Sequence, residues 1–172
     1  MNALLVAPHA DDESLFACYL ALRLRARVVV CLDSGLIRFL ELTDAMDVLG
    51  CEWSMIRTPE DDPNWGLVQS TIEWDAKDAT TLIAPAYEDG GHEHHNRVAR
   101  IVDELDHPHV VRYLTYVRGR GRSTGVEVPS SQPMRDLKLA ALLCYQSQIK
   151  NPATAPWFPG GAYSDMREWI AE

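Results

Sequence analysis

The sequence predicts an α/β fold in which a Rossmann-like parallel sheet of strand order 3-2-1-4-5 carries helices on both faces. Short apolar runs alternate along the chain with segments whose apolar residues recur at helical spacing. The first run, Ala3-Leu4-Leu5-Val6-Ala7, is apolar without interruption, which is typical of a strand covered on both faces. At a length of 172 residues, we expect one domain spanning residues 1–172.

The periodicity of the apolar residues assigns each element in turn. The predicted strands are residues 3–7, 27–32, 53–57, 81–86 and 109–117. The predicted helices are residues 13–25, 36–49, 69–78, 94–105, 134–149 and 164–171. Gly50 follows the second helix and is the expected C-cap. The proline-rich segment 151–163 is expected to be irregular and to pack over a surface.

Composition excludes several classes of protein. The formal net charge of −9 argues against a general nucleic-acid binder, whose surface is normally basic. The four cysteines form no CxxC pair, and we expect them to be reduced thiols. The chain opens directly on a strand, and no apolar run approaches the roughly 20 residues that span a bilayer. We therefore expect a cytoplasmic protein with no signal peptide, membrane anchor or nucleic-acid partner.

Two clusters of histidines and carboxylates directly follow two of the predicted strands. Pro8-His9-Ala10-Asp11-Asp12-Glu13 comes after the first strand, and Gly91-His92-Glu93-His94-His95 comes after the fourth. In a sheet of order 3-2-1-4-5 these strands are neighbours at the switch point, where the helices leave to opposite faces and a crevice forms. We expect the two clusters to meet there.

The residue types suit a catalytic zinc site, which usually has three protein ligands and one position for water. His9 and Asp12 are three residues apart across a strand-to-helix turn, and His95 can supply a third ligand. Asp11 is the expected general base, and His92 can point at the oxyanion of a tetrahedral intermediate. Iron(II) also suits two histidines and one carboxylate.

Each cluster also has an ordinary structural interpretation. A single histidine near a strand end is usually a satisfied core or surface residue. Acids such as Asp11-Asp12-Glu13 often only stabilise a helix N-terminus. The placement of both clusters after neighbouring strands favours the metal site.

The first cluster resembles the PHPDDE signature of the PIG-L/LmbE-like zinc-dependent de-N-acetylase family, and the second lies where that family has its HPDH motif. Arg38-Phe39-Leu40-Glu41 is similar to the family's R-x-x-E helix, and residues 138–148 are similar to its C-terminal helix. The resemblance covers nearly the whole chain. It implies zinc ligands at His9, Asp12 and His95 and a general base at Asp11. It further implies that His92 stabilises the tetrahedral intermediate and donates a proton to the leaving amine, and that Arg38 binds substrate.

Two positions depart from the family motifs. Ala10 replaces a proline, which removes no chemical group. His94 replaces the aspartate of HPDH, which is expected to orient the preceding histidine and to raise its pKa. We therefore expect the pKa of His92 to lie lower than that of its family counterpart, unless Glu88, Asp89 or Glu93 takes the place of the aspartate.

The sequence thus predicts a zinc-dependent hydrolase that removes an acyl group, expected to be acetyl, from an amino-sugar-containing small molecule such as a glycoside or sugar conjugate. Two alternatives stay open: an amidase for a non-sugar conjugate or modified nucleoside, and a catalytically silent, metal-stabilised binding domain, which His94 favours. The loop from Arg118 to Arg122 is a candidate grip for an anionic substrate group. Trp157-Phe158 is a candidate wall for a sugar.

Overall fold

The structure is a computed structural model that describes residues 2–117, 121–122 and 125–171. Its strands are β1 (Ala3–Ala7), β2 (Arg27–Val30), β3 (Trp53–Met55), β4 (Thr81–Pro85), β5 (Val110–Tyr113), β6 (Tyr116–Val117), β7 (Gly121–Arg122), β8 (Val126–Glu127) and β9 (Trp169–Ile170). Within the described residues, β6 and β7 form a small hairpin, and the other strands form one sheet of order β3-β2-β1-β4-β5-β9-β8.

The first five strands are parallel and stand in the predicted order 3-2-1-4-5, so the predicted fold class is confirmed. All of β1 is buried. Leu5 and Ala7 face one hydrophobic layer, whereas Leu4 and Val6 face the other. The uninterrupted apolar run therefore reflects a central strand with helices on both sides.

Helices cover both faces of the sheet. They are α1 (Asp12–Phe16), α2 (Cys18–Leu24), α3 (Leu36–Leu49), α4 (Trp65–Ala76), α5 (Glu93–Glu104), α6 (Gln132–Cys144) and α7 (Gln146–Lys150). Val68 of α4 and Val98 of α5 pack in the layer on one face. Leu42 of α3 and Leu142 of α6 pack in the layer on the other. A single turn of 3-10 helix, Ala155–Trp157, lies in the segment that follows α7.

The first predicted helix is interrupted at Ala17, which divides it into α1 and α2. The break is buried, and distant side chains satisfy its backbone. The ammonium of Lys138 donates to the carbonyl of Leu15 at 2.9 Å, and a carboxylate oxygen of Glu168 accepts the N–H of Tyr19 at 2.9 Å. Long-range polar contacts therefore replace the missing helical hydrogen bonds.

Lys138 and Glu168 also form a buried ion pair. Their Nζ and Oε1 atoms are 2.7 Å apart, and both side chains are fully shielded from solvent. The pair joins α6 to the last strand and holds both against the break between α1 and α2.

The predicted C-terminal helix over residues 164–171 is wrong, because Trp169–Ile170 forms β9. This strand is antiparallel to β5 and β8. The N–H of Leu114 donates to the carbonyl of Trp169 at 2.8 Å, and the N–H of Ala171 donates to the carbonyl of Arg112 at 2.9 Å. Pairing with the open edge of β5 thus determines the conformation of residues 169–170. The spacing of apolar residues in the sequence cannot reveal that pairing.

In the described part of the chain, no helix combines the length and the hydropathy that a bilayer crossing requires.

Candidate metal centre

The two histidine clusters lie side by side at the carboxyl edge of the sheet. β1 and β4 are paired in parallel, with Leu5 opposite Ile83. β1 leads through a short turn into α1, and β4 leads through residues 86–92 into α5. The switch point predicted from the strand order therefore brings both clusters to one crevice.

His9, Asp12 and His95 form a compact, buried trio. Asp12 Oδ2 lies 3.1 Å from His9 Nδ1 and 3.1 Å from His95 Nε2, and the two ring nitrogens are 3.2 Å apart. Tetrahedral zinc with bonds near 2.1 Å separates its donor atoms by about 3.4 Å, so this triangle needs little adjustment to hold the ion. The donor set and its spacing fit zinc.

Electrostatics keep Asp12 ready to act as a ligand. Burial would raise the pKa of its carboxyl, but the adjacent His95 and His9 outweigh that effect and hold the pKa well below its usual value. The opposite nitrogen of His95, Nδ1, lies 3.3 Å from the hydroxyl of Thr115, which donates to a carboxylate oxygen of Glu88 at 2.9 Å. Such an outer partner fixes the ring orientation of a metal-binding histidine.

Asp11 lies beside the trio in a strained backbone conformation. Its φ is 140°, a value that residues with a side chain rarely adopt. One carboxylate oxygen lies 2.9 Å from the guanidinium of Arg38. Burial raises the pKa of Asp11 to about 7 although Arg38 opposes the shift, and the charges of Asp12 and Glu13 add to the rise. A pKa near 7 suits a general base at neutral pH.

Glu13 holds this strained turn in place. One of its carboxylate oxygens accepts the backbone N–H of Asp11 at 3.0 Å. The other accepts the hydroxyls of Ser14 at 2.8 Å and Tyr145 at 2.5 Å. Glu13 is completely buried. Glu13 was not among the predicted site residues, although its place as the third acid of the first cluster was a usable signal.

We expect Tyr145→Phe to lower the free energy of unfolding by about 2 kcal/mol, because it removes a donor from a buried carboxyl group. Tyr113→Phe is the matched control, since the buried hydroxyl of Tyr113 donates to the neutral carbonyl of Val6 at 3.1 Å. Its loss should cost about 1 kcal/mol. Urea unfolding of both variants measures the difference, and equal losses would contradict the role assigned to Glu13.

His92 and His94 stand at the start of α5. Nδ1 of His92 accepts the backbone N–H of His94 at 3.2 Å, which caps the helix. The ring of His92 lies edge-on to that of His9, with 4.9 Å between the ring centroids. Burial, followed by the neighbouring His9 and His95, lowers the pKa of His92 to about 3.

The ring of His94 lies beside that of His92, with 4.9 Å between the ring centroids, but its hydrogen-bonding nitrogen does not face His92. Its Nδ1 instead lies 2.9 Å from Nε2 of His9, the ring nitrogen that faces away from Asp12. His94 also packs against Trp65, with 5.7 Å between the ring centroids. The sequence alone gave no indication of the contact between His94 and His9.

Arg38 contacts the candidate base and also lines the pocket. Its guanidinium donates to the carbonyl of Ala10 and pairs with Asp11. Its Nε is buried and has no hydrogen-bond partner among the described residues. The structure therefore places Arg38 where it can serve both the base and a ligand.

The trio opens into a pocket of about 390 Å³ whose lining has two chemical characters. Its polar lining residues are the metal trio, Asp11, Arg38, Ser34, Glu60, His92, Gln148, Asn151 and Thr154. Its apolar and aromatic lining residues are Leu15, Phe16, Tyr116, Trp157 and Phe158, of which Phe16 and Tyr116 also contact the ring of His95. The rings of Tyr116 and Trp157 are stacked, with centroids 4.5 Å apart. Arg118 and Arg120 of the predicted cationic loop lie outside the described residues, as does the side chain of Arg122.

Solved structures share this fold. The zinc-inhibited form of teicoplanin deacetylase is 18% identical, with a TM-score of 0.66 over 87% of this chain and 85% of that chain. The A40926 pseudoaglycone deacetylase is 18% identical, with a TM-score of 0.65 over 86% of this chain and 82% of that chain. The 4-carboxy-2-hydroxymuconate hydratase of Pseudomonas putida KT2440 is 12% identical, with a TM-score of 0.63 over 86% of this chain and 79% of that chain.

The sequence itself matches no protein-family model and no curated protein. At identities below 20%, the likeness to the solved structures establishes the fold. Because deacetylases and a hydratase share this fold, the reaction must be argued from the residues of the site.

Proposed function

We propose that this protein is a zinc-dependent hydrolase that removes an N-acyl group, expected to be acetyl, from an amino-sugar-containing small molecule. The compact trio of His9, Asp12 and His95 carries the proposal, because its donor spacing suits zinc and its pocket has a base at the rim. By their names, the deacetylases that share the fold act on teicoplanin and on the A40926 pseudoaglycone, a term for a partly deglycosylated glycoside, which supports an N-acylated glycoside as substrate.

The three ligands would hold one zinc ion, which when bound lowers the pKa of water and polarises an amide carbonyl. Asp11 takes a proton from the attacking water. His92 donates its ring N–H to the oxyanion of the tetrahedral intermediate. The C–N bond then breaks, the amine nitrogen takes up the proton held by Asp11, and the acid product releases its remaining proton to solvent and leaves as a carboxylate. The low pKa of His92 favours Asp11 over His92 as the source of that proton.

Arg38 and the aromatic lining residues position the rest of the substrate in this proposal. Arg38 keeps the carboxylate of Asp11 oriented at 2.9 Å and lines the pocket. Trp157 and Tyr116, which are stacked on each other, give the pocket an aromatic lining against which the CH groups of a sugar can pack. Asn151 and Gln148 stand beside them as partners for sugar hydroxyls.

A substrate panel tests the proposal directly. The zinc-loaded protein is incubated with N-acetylated amino sugars and their glycosides, a non-sugar N-acetyl conjugate, an N-acetylated nucleoside and 4-carboxy-2-hydroxymuconate. We expect free amine and acetate in equal amounts from the sugar substrates. Release of amine and acetate from only the non-sugar or nucleoside compounds would show that the substrate is not a sugar. Hydration of the muconate would show that the reaction is a hydration rather than a deacylation. A fully metal-loaded protein inactive on the whole panel would favour a binding domain.

We further propose that residues 1–172 act as one domain in the cytoplasm. The sheet runs from β1 near the start of the chain to β9 near its end, which supports a single unit. All four cysteines are free thiols, as a reducing compartment requires.

A further inference from the structure

A second group of possible metal donors lies next to the trio, on the other side of the His9 ring. Nδ1 of His9 faces Asp12 and His95, whereas Nε2 faces His94 at 2.9 Å. One nitrogen from each of His9, His92 and His94 lies within 4.8 Å of the other two. The ring of His94 thus meets the outer nitrogen of a proposed zinc ligand, and the ring of His92 lies beside both rings, with 4.9 Å between its centroid and each of theirs.

The surroundings of this second group are suited to a cation. A carboxylate oxygen of Glu60 lies 3.7 Å from Nε2 of His9. Because Nδ1 of His92 already accepts the backbone N–H of His94, its Nε2 is the nitrogen available for a metal.

We propose that His9 Nε2, His92 and His94 form a second, weaker site for a divalent ion such as Zn²⁺, with Glu60 beside it. The site is weaker because it shares His9 with the trio, so its ion binds close to the positive charge of the first ion. When both ions are bound, His9 bridges them as an imidazolate and has released its remaining ring proton to solvent. That extra deprotonation further weakens the second ion relative to the first.

Occupation of the second site would inhibit the enzyme. His92 lines the pocket, and its N–H is the group that donates to the oxyanion. An ion bound to Nε2 of His92 removes that donor and narrows the entrance to the trio. This consequence rests on the proposed function, whereas the existence of the site does not.

Metal stoichiometry tests the site without any assay of activity. Metal-free protein is titrated with Zn²⁺ in equilibrium dialysis. We expect the unmodified protein to bind two equivalents of Zn²⁺, one tightly and one more weakly. In a His94→Asn variant, the second equivalent should bind at least about tenfold more weakly. Loss of even an outer partner of a metal ligand has an effect of that size. His109→Asn is the matched control, because His109 is an exposed histidine away from both groups, and it should keep two equivalents.

A spectroscopic readout locates the second ion. Trp65 packs against His94, so Co²⁺ at the second site should quench its fluorescence. We expect quenching on the second equivalent, and a Trp65→Phe variant should lack that component. A single equivalent in the unmodified protein, or a second equivalent that His94→Asn leaves unchanged, would overturn the proposal. If the protein is inactive on every substrate but still binds a second metal equivalent that depends on His94, only the proposed function is overturned.

Discussion

Asp11→Asn should lower kcat for deacylation by about 10²–10⁴-fold, the usual contribution of a positioned general base, while the bound metal is retained. The substitution preserves the shape of the side chain but removes its ability to accept a proton from water. Asparagine also tolerates positive φ better than most residues, so the strained turn at φ 140° should persist. Steady-state kinetics, with zinc content measured on the same sample, gives the result.

Asp12→Asn is the matched control, because it changes the neighbouring carboxylate in the same way. Asp12 lies between His9 and His95, so this variant should lose tight zinc binding together with activity. Activity that survives in metal-loaded Asp11→Asn would exclude Asp11 as the base. Equal loss of zinc in both variants would show that Asp11, too, is needed for binding.

Lys138→Met should lower the free energy of unfolding by about 3–5 kcal/mol, because it leaves a buried charge without its opposite partner. Glu168 is 1% exposed and loses the ammonium that lies 2.7 Å from its carboxylate. The carbonyl of Leu15 loses a donor at the same time. Denaturant unfolding followed by circular dichroism measures the loss.

A double-mutant cycle separates the ion pair from the packing of the two side chains. The variants are Lys138→Met, Glu168→Leu and the double substitution. We expect the double variant to be destabilised by clearly less than the sum of the two single variants, because no lone charge remains buried. Additive losses would mean that the ion pair itself contributes little.

The predictable parts of the molecule are those that a local pattern determines. The apolar run in β1 required a central strand, and the strand order then placed His9 and His95 at one edge of the sheet. The contacts that could not be predicted join residues far apart in sequence. The hydroxyl of Tyr145 donates to Glu13, and the ammonium of Lys138 donates to the carbonyl of Leu15 beside the helix break at Ala17. No rule of sequence spacing relates such positions.

The pairing of β9 with β5 illustrates the same limit. Residues 164–171 have apolar positions compatible with a helix, and the strand forms only because β5 offers an unpaired edge. His94 is a related case. Its position in the motif suggested a missing acid beside His92, whereas its ring turns to His9, which is 85 residues away in sequence.

The pocket lining comes from separate stretches of the chain. The donors of the trio lie at positions 9, 12 and 95, whereas Gln148, Asn151, Thr154, Trp157 and Phe158 belong to one short C-terminal stretch. Phe158 is part of the hydrophobic core, but Asn151, Thr154 and Trp157 are exposed or partly buried. Substitutions at these three positions are therefore expected to alter which molecules the pocket accepts while the donors of the trio stay in place.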